Sequence, residues 1–258
     1  ILGIGQFLAG RQAFHREWGM SIHAVVDSEI ADDDREKLAS EFYMGVPANY
    51  LHVLADLDVS RDAKVAALQS GFRSARVVVI HGASGQGKTT LAYRYLSGAC
   101  PEACRFRISA VRDRGSAASI ASAIGSHTHA LGAPSLVFLD VNPHDEAWPE
   151  LVRLLVSHTG VRVLVSVREE DLARADLSGT PSAVEKIGLS LDEDEARRIY
   201  DGLVARLPLN QYLGFDDAWA AFGGGGPLLE FVHRVTQGQA LADRLQGQVQ
   251  SIEDRVRA

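Results

Sequence analysis

A chain of 258 residues that is 46% hydrophobic and 23% charged has the composition of an ordinary globular protein, with apolar content for a substantial core. Its net charge of −7, its pI near 5.7 and its lack of a basic stripe disfavour nucleic acid as the main partner, because surfaces that grip phosphates are usually basic. No apolar run approaches the ~20 residues of a membrane span, so no membrane partner is expected, and two cysteines, Cys100 and Cys104, fit a reducing, cytoplasmic setting better than a disulfide scaffold.

The opening ILGIGQFLAG is mildly apolar but lacks the basic flank and cleavage site of a signal peptide. It also lacks an initiator methionine and reads as a piece of a longer protein. Residues 1–57 carry scattered aromatics (Phe7, Phe14, Trp18, Phe42, Tyr43, Tyr50) and an acidic run at Asp32–Asp34, and are expected to form short helices and turns. They are taken as a linker or the end of an upstream effector domain. From residue 58 the pattern sharpens. Helical spacing in AKVAALQSGF leads into the β-branched run Val77–Ile80. Further strand-like runs follow at 105–109, at Leu136–Leu139, at Val161–Val165 and at Ile187, Leu189 and Leu191. Helical patterns separate them; Trp148, Leu151, Val152 and Leu155 fall on one helical face and read as core packing. Apolar strands alternating with helices predict an α/β core, residues 58–191, with a central parallel sheet covered by helices on both sides.

After residue 191 the strands stop. Ser190 to Glu193 reads as a capping box, starting a helix with Ala196, Ile199, Tyr200 and Leu203 on one face. FGGGGPLLEF (222–231) has the composition of a flexible linker, yet Pro227 suits the first turn of a further helix, running towards Leu241 and Leu245. Residues 192–258 are therefore expected to form a small all-helical lid domain.

The chemistry concentrates in VVVIHGASGQGKTTLAY. Gly82, Ala83, Ser84, Gly85, Gln86, Gly87, Lys88 and Thr89 match G-x-x-x-x-G-K-[ST] in full, with a buried strand before and a helix after; Thr90 follows. Glycines let the backbone wrap around phosphate oxygens, and the loop N–H groups and new helix terminus face the anion. Lys88 supplies a cation for the β- and γ-phosphates, and Thr89 a hydroxyl for Mg²⁺. Asp140, ending the run Leu136–Leu139, is placed at the sheet edge where a carboxylate holds the Mg²⁺ hydration shell. The next residue is Val141, so a second acid that orients water is missing there; Asp145 or Glu146 could supply one, or could serve the start of the Trp148 helix. Arg168 follows another buried strand. It could read a γ-phosphate or form a surface ion pair with Glu169, Glu170 or Asp171.

In order along the chain, Asp58-Val59-Ser60-Arg61, the phosphate loop with its TTLA, Ser166-Val167-Arg168 and GGGGPLLEF resemble the motifs of the STAND class of P-loop NTPases, related to AP-ATPases, NB-ARC and NACHT proteins. The resemblance covers about residues 58–250. It implies that Val59 contacts adenine through its backbone with Arg61 nearby, that Lys88, Thr89 and Asp140 handle phosphate and Mg²⁺, that Arg168 reads the γ-phosphate, and that Pro227 closes over base or ribose. It implies ATP or ADP as ligand, slow turnover, self-association in the ATP state, an unknown activating ligand and a fused effector, in bacterial relatives often for antiviral defence. The winged helix and sensor that usually follow are expected beyond residue 258. His233, on the lid helix, is not assigned the family's phosphate-sensing role, and an F-x-x-G-R-like string from Phe7 to Arg11 lies too far upstream to match.

Two other functions fit a phosphate loop. A work-producing or nucleic-acid ATPase of AAA+ type is disfavoured by the acidic balance, and a small-molecule kinase would use the helical part as a lid over an acceptor. LSGTP (177–181) is not an ABC signature, and no N-K-x-D points to GTP. Two histidines, His127 and His129, without a carboxylate partner, and CPEAC without further ligands, read as structural rather than metal-binding.

Overall fold

The computed structural model describes residues 21–207 and 214–238. Phe7 to Arg11, Phe14, Trp18, Leu241 and Leu245 lie outside the described residues. The described chain divides into two units. The first takes the residues through Glu29, then Asp62–Gly82 and Lys88–Gly188; the second takes Ile30–Arg61, Ala83–Gly87 and the residues from Leu189 on.

The first unit is built on a six-stranded sheet among the described residues, ordered β1-β3-β4-β5-β2-β6. The strands are β1 (Ile22–Ala24), β2 (Val77–His81), β3 (Arg105–Ile108), β4 (Ser135–Asp140), β5 (Val161–Val167) and β6 (Val184–Gly188). β2 to β6 pair in parallel, as the alternation of apolar runs with helices requires. Beside this expected parallel sheet lies one edge strand that the sequence did not suggest. β1, from the stretch read as helices and turns, pairs antiparallel with β3, Ile22 opposite Ile108. Three residues were too few for a periodic signal, but Ile22 is buried in the sheet's core. The last strand also starts earlier and ends sooner than its apolar residues suggested: β6 stops at Gly188, leaving Leu189 and Leu191 beyond it.

Side chains alternate across each strand, so Val77 and Val79 of β2 share one face and Val78 and Ile80 the other. On the first face, Val77, Val79, Val137, Leu139, Val163 and Val165 meet two helices, α5 (Arg114–Leu131) and α6 (Trp148–Ser157). Trp148, Leu151, Val152 and Leu155 are the buried stripe of α6. Helices α3 (Asp62–Ser74) and α4 (Lys88–Ala99) cover the opposite side and bury Leu68, Phe72, Leu91 and Leu96. Each such side chain contributes about 1.5–3 kcal/mol of burial, which explains why strands buried on both faces dominate the sheet centre. A short helix, α7 (Glu169–Arg174), follows β5 directly.

The second unit is helical. It contains α1 (Asp32–Tyr43), α2 (Tyr50–Leu54), α8 (Glu193–Val204), α9 (Phe215–Phe222) and α10 (Leu228–Gln237). Asp32, Asp33 and Asp34 occupy the first turn of α1, where negative charge complements the helix dipole. The core gathers Tyr43, Ala196, Ile199, Tyr200, Leu203, Phe215, Phe222, Phe231 and Val235. α8 begins two residues later than the expected capping box. Leu191 is drawn into this core, and Asp192 is the N-cap, its carboxylate accepting from Glu195 N at 2.8 Å.

Candidate functional site

In the first unit, the C-terminal ends of β2, β4 and β5 bring the expected phosphate and metal residues to one sheet edge. Asp140 ends β4, in register with Ser166 of β5. Thr89, in the first turn of α4, donates its hydroxyl to Asp140 Oδ2 at 3.1 Å. Burial pushes the Asp140 carboxyl above its usual value; hydrogen bonds from Ser166 and Thr89 oppose this. Lys88 opens α4 and donates to Gly82 O at 2.9 Å. Burial pushes its ammonium below the usual lysine value, with Asp140 pulling the other way. Lys88, Thr89 and Asp140 are thus together. Ser166, within the quoted Ser166-Val167-Arg168, orients the aspartate, a role that strand patterning alone did not reveal. Among the described residues, the Arg168 side chain, 40% exposed, makes a long 4.0 Å pairing with Glu170.

A hydroxyl beside a carboxylate at the sheet edge is an all-oxygen donor set. It suits a hard cation such as Mg²⁺, which takes one or two protein oxygens and completes its shell with phosphate and water. Among the described residues no group of three or more His, Cys, Asp and Glu forms a metal cage, and an ion held through Thr89 and Asp140 requires none. Asp145 accepts from Ala147 N at 2.9 Å, a contact at the start of α6. His127 packs edge-on against Phe106, and Cys100 and Cys104 are free thiols.

In the second unit the loop residues Ala83–Gly87 meet the helical segment. Gly85 has φ +77°, and a Cβ there would stand 3.2 Å from Leu229 Cβ and 3.3 Å from Pro227 Cβ. Both the backbone conformation and the close approach require glycine. Ala83 and Ser84 are exposed, while Gln86 is buried. Three hydrogen bonds hold the loop from its carbonyl side and through Gln86. Leu229 N donates to Gly85 O at 2.8 Å, Arg61 NH1 donates to Gln86 O at 2.7 Å, and Gln86 Nε2 donates to Gly226 O at 3.2 Å. The first of these satisfies one of the N–H groups that any helix start leaves without an intrahelical partner. α10 needs it, because its N-cap is Pro227 and supplies no side-chain cap.

Arg61 is buried and bidentate on Glu195, with Nε 2.7 Å from Oε1 and NH2 2.8 Å from Oε2. Its guanidinium is therefore committed to Glu195 and the loop carbonyl. Glu195 is a residue that sequence reading passed over; the available signal was a carboxylate at the third position of a capped helix. Val59 packs its side chain against Gly202 of α8, where a Cβ would lie 3.0 Å from both Val59 methyl groups. The backbone before it is fixed by Arg206, whose NH1 donates to Asp56 O at 2.6 Å and Asp58 O at 2.8 Å.

A buried strand, a glycine-rich loop, a helix opening on lysine and threonine, and a strand-end aspartate meeting that threonine belong together. The fold is that of a P-loop NTPase. No protein-family model and no curated protein matches the sequence. Solved structures do match. A STAND protein with a tetratricopeptide repeat sensor from Pyrococcus horikoshii is 16% identical, with a TM-score of 0.42, over 64% of this chain and 28% of its own. The Walker-type ATPase of Pyrococcus abyssi is 13% identical, with a TM-score of 0.49, over 78% of this chain and 77% of its own. Rhizobiales Trip13 is 16% identical, with a TM-score of 0.46, over 80% and 78%. The chain spans little more than a quarter of the STAND protein's length. No helix among the described residues is long and apolar enough to cross a membrane.

Proposed function

We propose that this P-loop NTPase is an ATP- and ADP-binding regulatory module, a nucleotide-controlled switch for signal sensing and self-association. In this reading residues 58–191 form the nucleotide core, residues 192–258 the lid, and residues 1–57 lead from an effector. The observation that carries it is the grip on the phosphate loop: Gly85 O and Gln86 O are bound by Leu229 N and Arg61 NH1. A ligand that reshapes the loop changes those bonds, which is how a local phosphate event acquires a wider readout.

Lys88 and the loop N–H groups of Gly82 to Thr90 hold the phosphates. Thr89 and Asp140 would hold Mg²⁺, and the ion would supply charge neutralisation at the phosphate oxygens. Arg168, only loosely paired, is available to a γ-phosphate. The backbone at Val59 and the side chain of Pro227 face the nucleoside, while Arg61 acts by holding the loop. In this reading turnover is slow, with no acid directly after Asp140 to orient the attacking water. Activation of a fused effector, including in antiviral defence, is the output such a switch suits.

Calorimetric titration with ATP and ADP, with and without Mg²⁺, tests the reading, together with sedimentation in each nucleotide. We expect binding of both nucleotides, a larger assembly with ATP, and at least a 10-fold loss of affinity in Lys88→Ala, since a charged hydrogen bond is worth about 1.5–3 kcal/mol. Absence of nucleotide binding, or unchanged affinity in Lys88→Ala, refutes it.

A further inference from the structure

At the same sheet edge, two side chains are paired that the proposed nucleotide chemistry has not used. β2 and β5 are parallel neighbours, with His81 opposite Val167. The chain leaving β5 as Arg168 and Glu169 therefore passes the C-terminal end of β2. There His81 Nδ1 lies 2.6 Å from Glu169 Oε2. The imidazole has its place because Gly188 stands opposite it on β6, where an added Cβ would come within 3.3 Å of His81 Cε1. The ring is largely covered, at 20% exposure, whereas the carboxylate it holds is 62% exposed. One residue beyond His81 is Gly82, whose carbonyl accepts from Lys88.

The position after Asp140 is Val141, and one carboxylate oxygen of Asp145 accepts from Ala147 N. Hydrolysis still requires a group to take a proton from water. We propose that Glu169 is the general base for hydrolysis of the bound nucleoside triphosphate, with His81 as the positioning residue that aims its carboxylate. The inference rests on the nucleotide-binding reading above. Glu169 takes a proton from a water molecule as the water oxygen bonds to the terminal phosphorus. The bond from that phosphorus to the bridging oxygen breaks, and its electron pair leaves on the diphosphate. The proton passes from the exposed carboxyl to solvent. A base delivered from β5 and held by a histidine on β2 replaces an acid at the end of β4.

The test uses the whole chain with Mg-ATP, measuring ATP affinity by calorimetry and ADP formation in single turnover. In Glu169→Gln we expect affinity within about 3-fold of wild type and hydrolysis slowed about 100-fold or more, the scale of general-base catalysis. The variant should also retain ATP, where wild type retains ADP. His81→Ala should lower kcat about 10-fold with KM little changed, and His81→Asn, which keeps a donor towards the carboxylate, should recover most of it. Wild-type hydrolysis by Glu169→Gln overturns the proposal, as does loss of ATP binding in that variant, loss of turnover in Glu146→Gln instead, or wild-type protein that binds ATP and never hydrolyses it. Failure of wild type to bind any nucleotide overturns the underlying reading and is a separate result.

Discussion

Removing Glu195 tests whether the buried arginine pair organises the helical unit. Both side chains are only 6% exposed, so solvent screens the pair little. Glu195→Ala deletes two short charged hydrogen bonds, at 2.7 and 2.8 Å. At roughly 1.5–3 kcal/mol each they amount to about 3–6 kcal/mol, and breaking a buried pair on one side typically costs about 3–5 kcal/mol because a charge is stranded. Gln86 O still accepts from Arg61 NH1, so we expect the lower end, about 3 kcal/mol. In urea, at a slope of about 3 kcal/mol per molar, the midpoint followed by Trp219 fluorescence should fall about 1 M. Arg61→Met with Glu195→Leu should recover at least half of that loss, because an apolar pair of similar volume avoids the stranded charge. A shift below about 0.3 M in Glu195→Ala, or a double variant less stable than the single one, would refute the reasoning.

Asp140→Asn should separate stability from function. Burial raises the folded-state pKa of Asp140 above 3.8, so the ligand-free native state holds that proton more tightly than the unfolded chain. The associated stability is present below pH 3.8 and lost as pH rises through the folded value. The amide should therefore raise the ligand-free unfolding midpoint at pH 7 while abolishing the gain in ATP affinity from Mg²⁺; a lowered midpoint with intact Mg²⁺ dependence contradicts the assignment. Within the glycine run, Gly226→Ala should destabilise the helical unit by about 1–3 kcal/mol through overpacking, since its Cβ would stand 2.9 Å from Phe222 Cζ. Gly225→Ala should be tolerated within about 0.5 kcal/mol, as nothing lies within 4 Å there. Equal midpoints for the two variants in thermal unfolding would return the run to a plain spacer.

Local periodicity made the sheet centre legible. β2, β4 and β5 are continuous apolar runs because both their faces are buried, and such runs announce themselves without any partner being known. The phosphate loop was legible for a different reason: few residue types permit its backbone, so Gly82, Gly85 and Gly87 leave a fixed spacing. What stayed hidden depends on pairing between distant segments. β1 is too short to show alternation, and its identity as a strand comes from β3. Ser166 reads as one more strand residue until register places it opposite Asp140. Glu195 reads as a surface acid in a polar helix start, and only its meeting with Arg61, 134 positions away, makes it a buried partner. His81 and Glu169 are joined by the order of strands, which sequence spacing does not contain.

The loop Ala83–Gly87 presents two sets of polar groups, and the carbonyl set is already engaged. Its N–H groups suit an anion; its carbonyls at Gly85 and Gln86 are taken by Leu229 N and Arg61 NH1. Because α10 starts on Pro227 without a side-chain cap, Gly85 O stands in for one, and a change of loop shape would uncap the helix. The same change removes an acceptor from a buried guanidinium. The neutral hydrogen bond is worth about 1 kcal/mol and the charged one about 1.5–3 kcal/mol. Together, about 2.5–4 kcal/mol links the loop backbone to α10 and to the Arg61–Glu195 pair, which covers the 1–3 kcal/mol of typical coupling between sites. The glycine run completes the arrangement: Gly226 O accepts from Gln86 Nε2, and the lack of a side chain at Gly226 lets Phe222 pack beside it. Flexible composition and defined packing are compatible there, because Gly226 answers to Phe222.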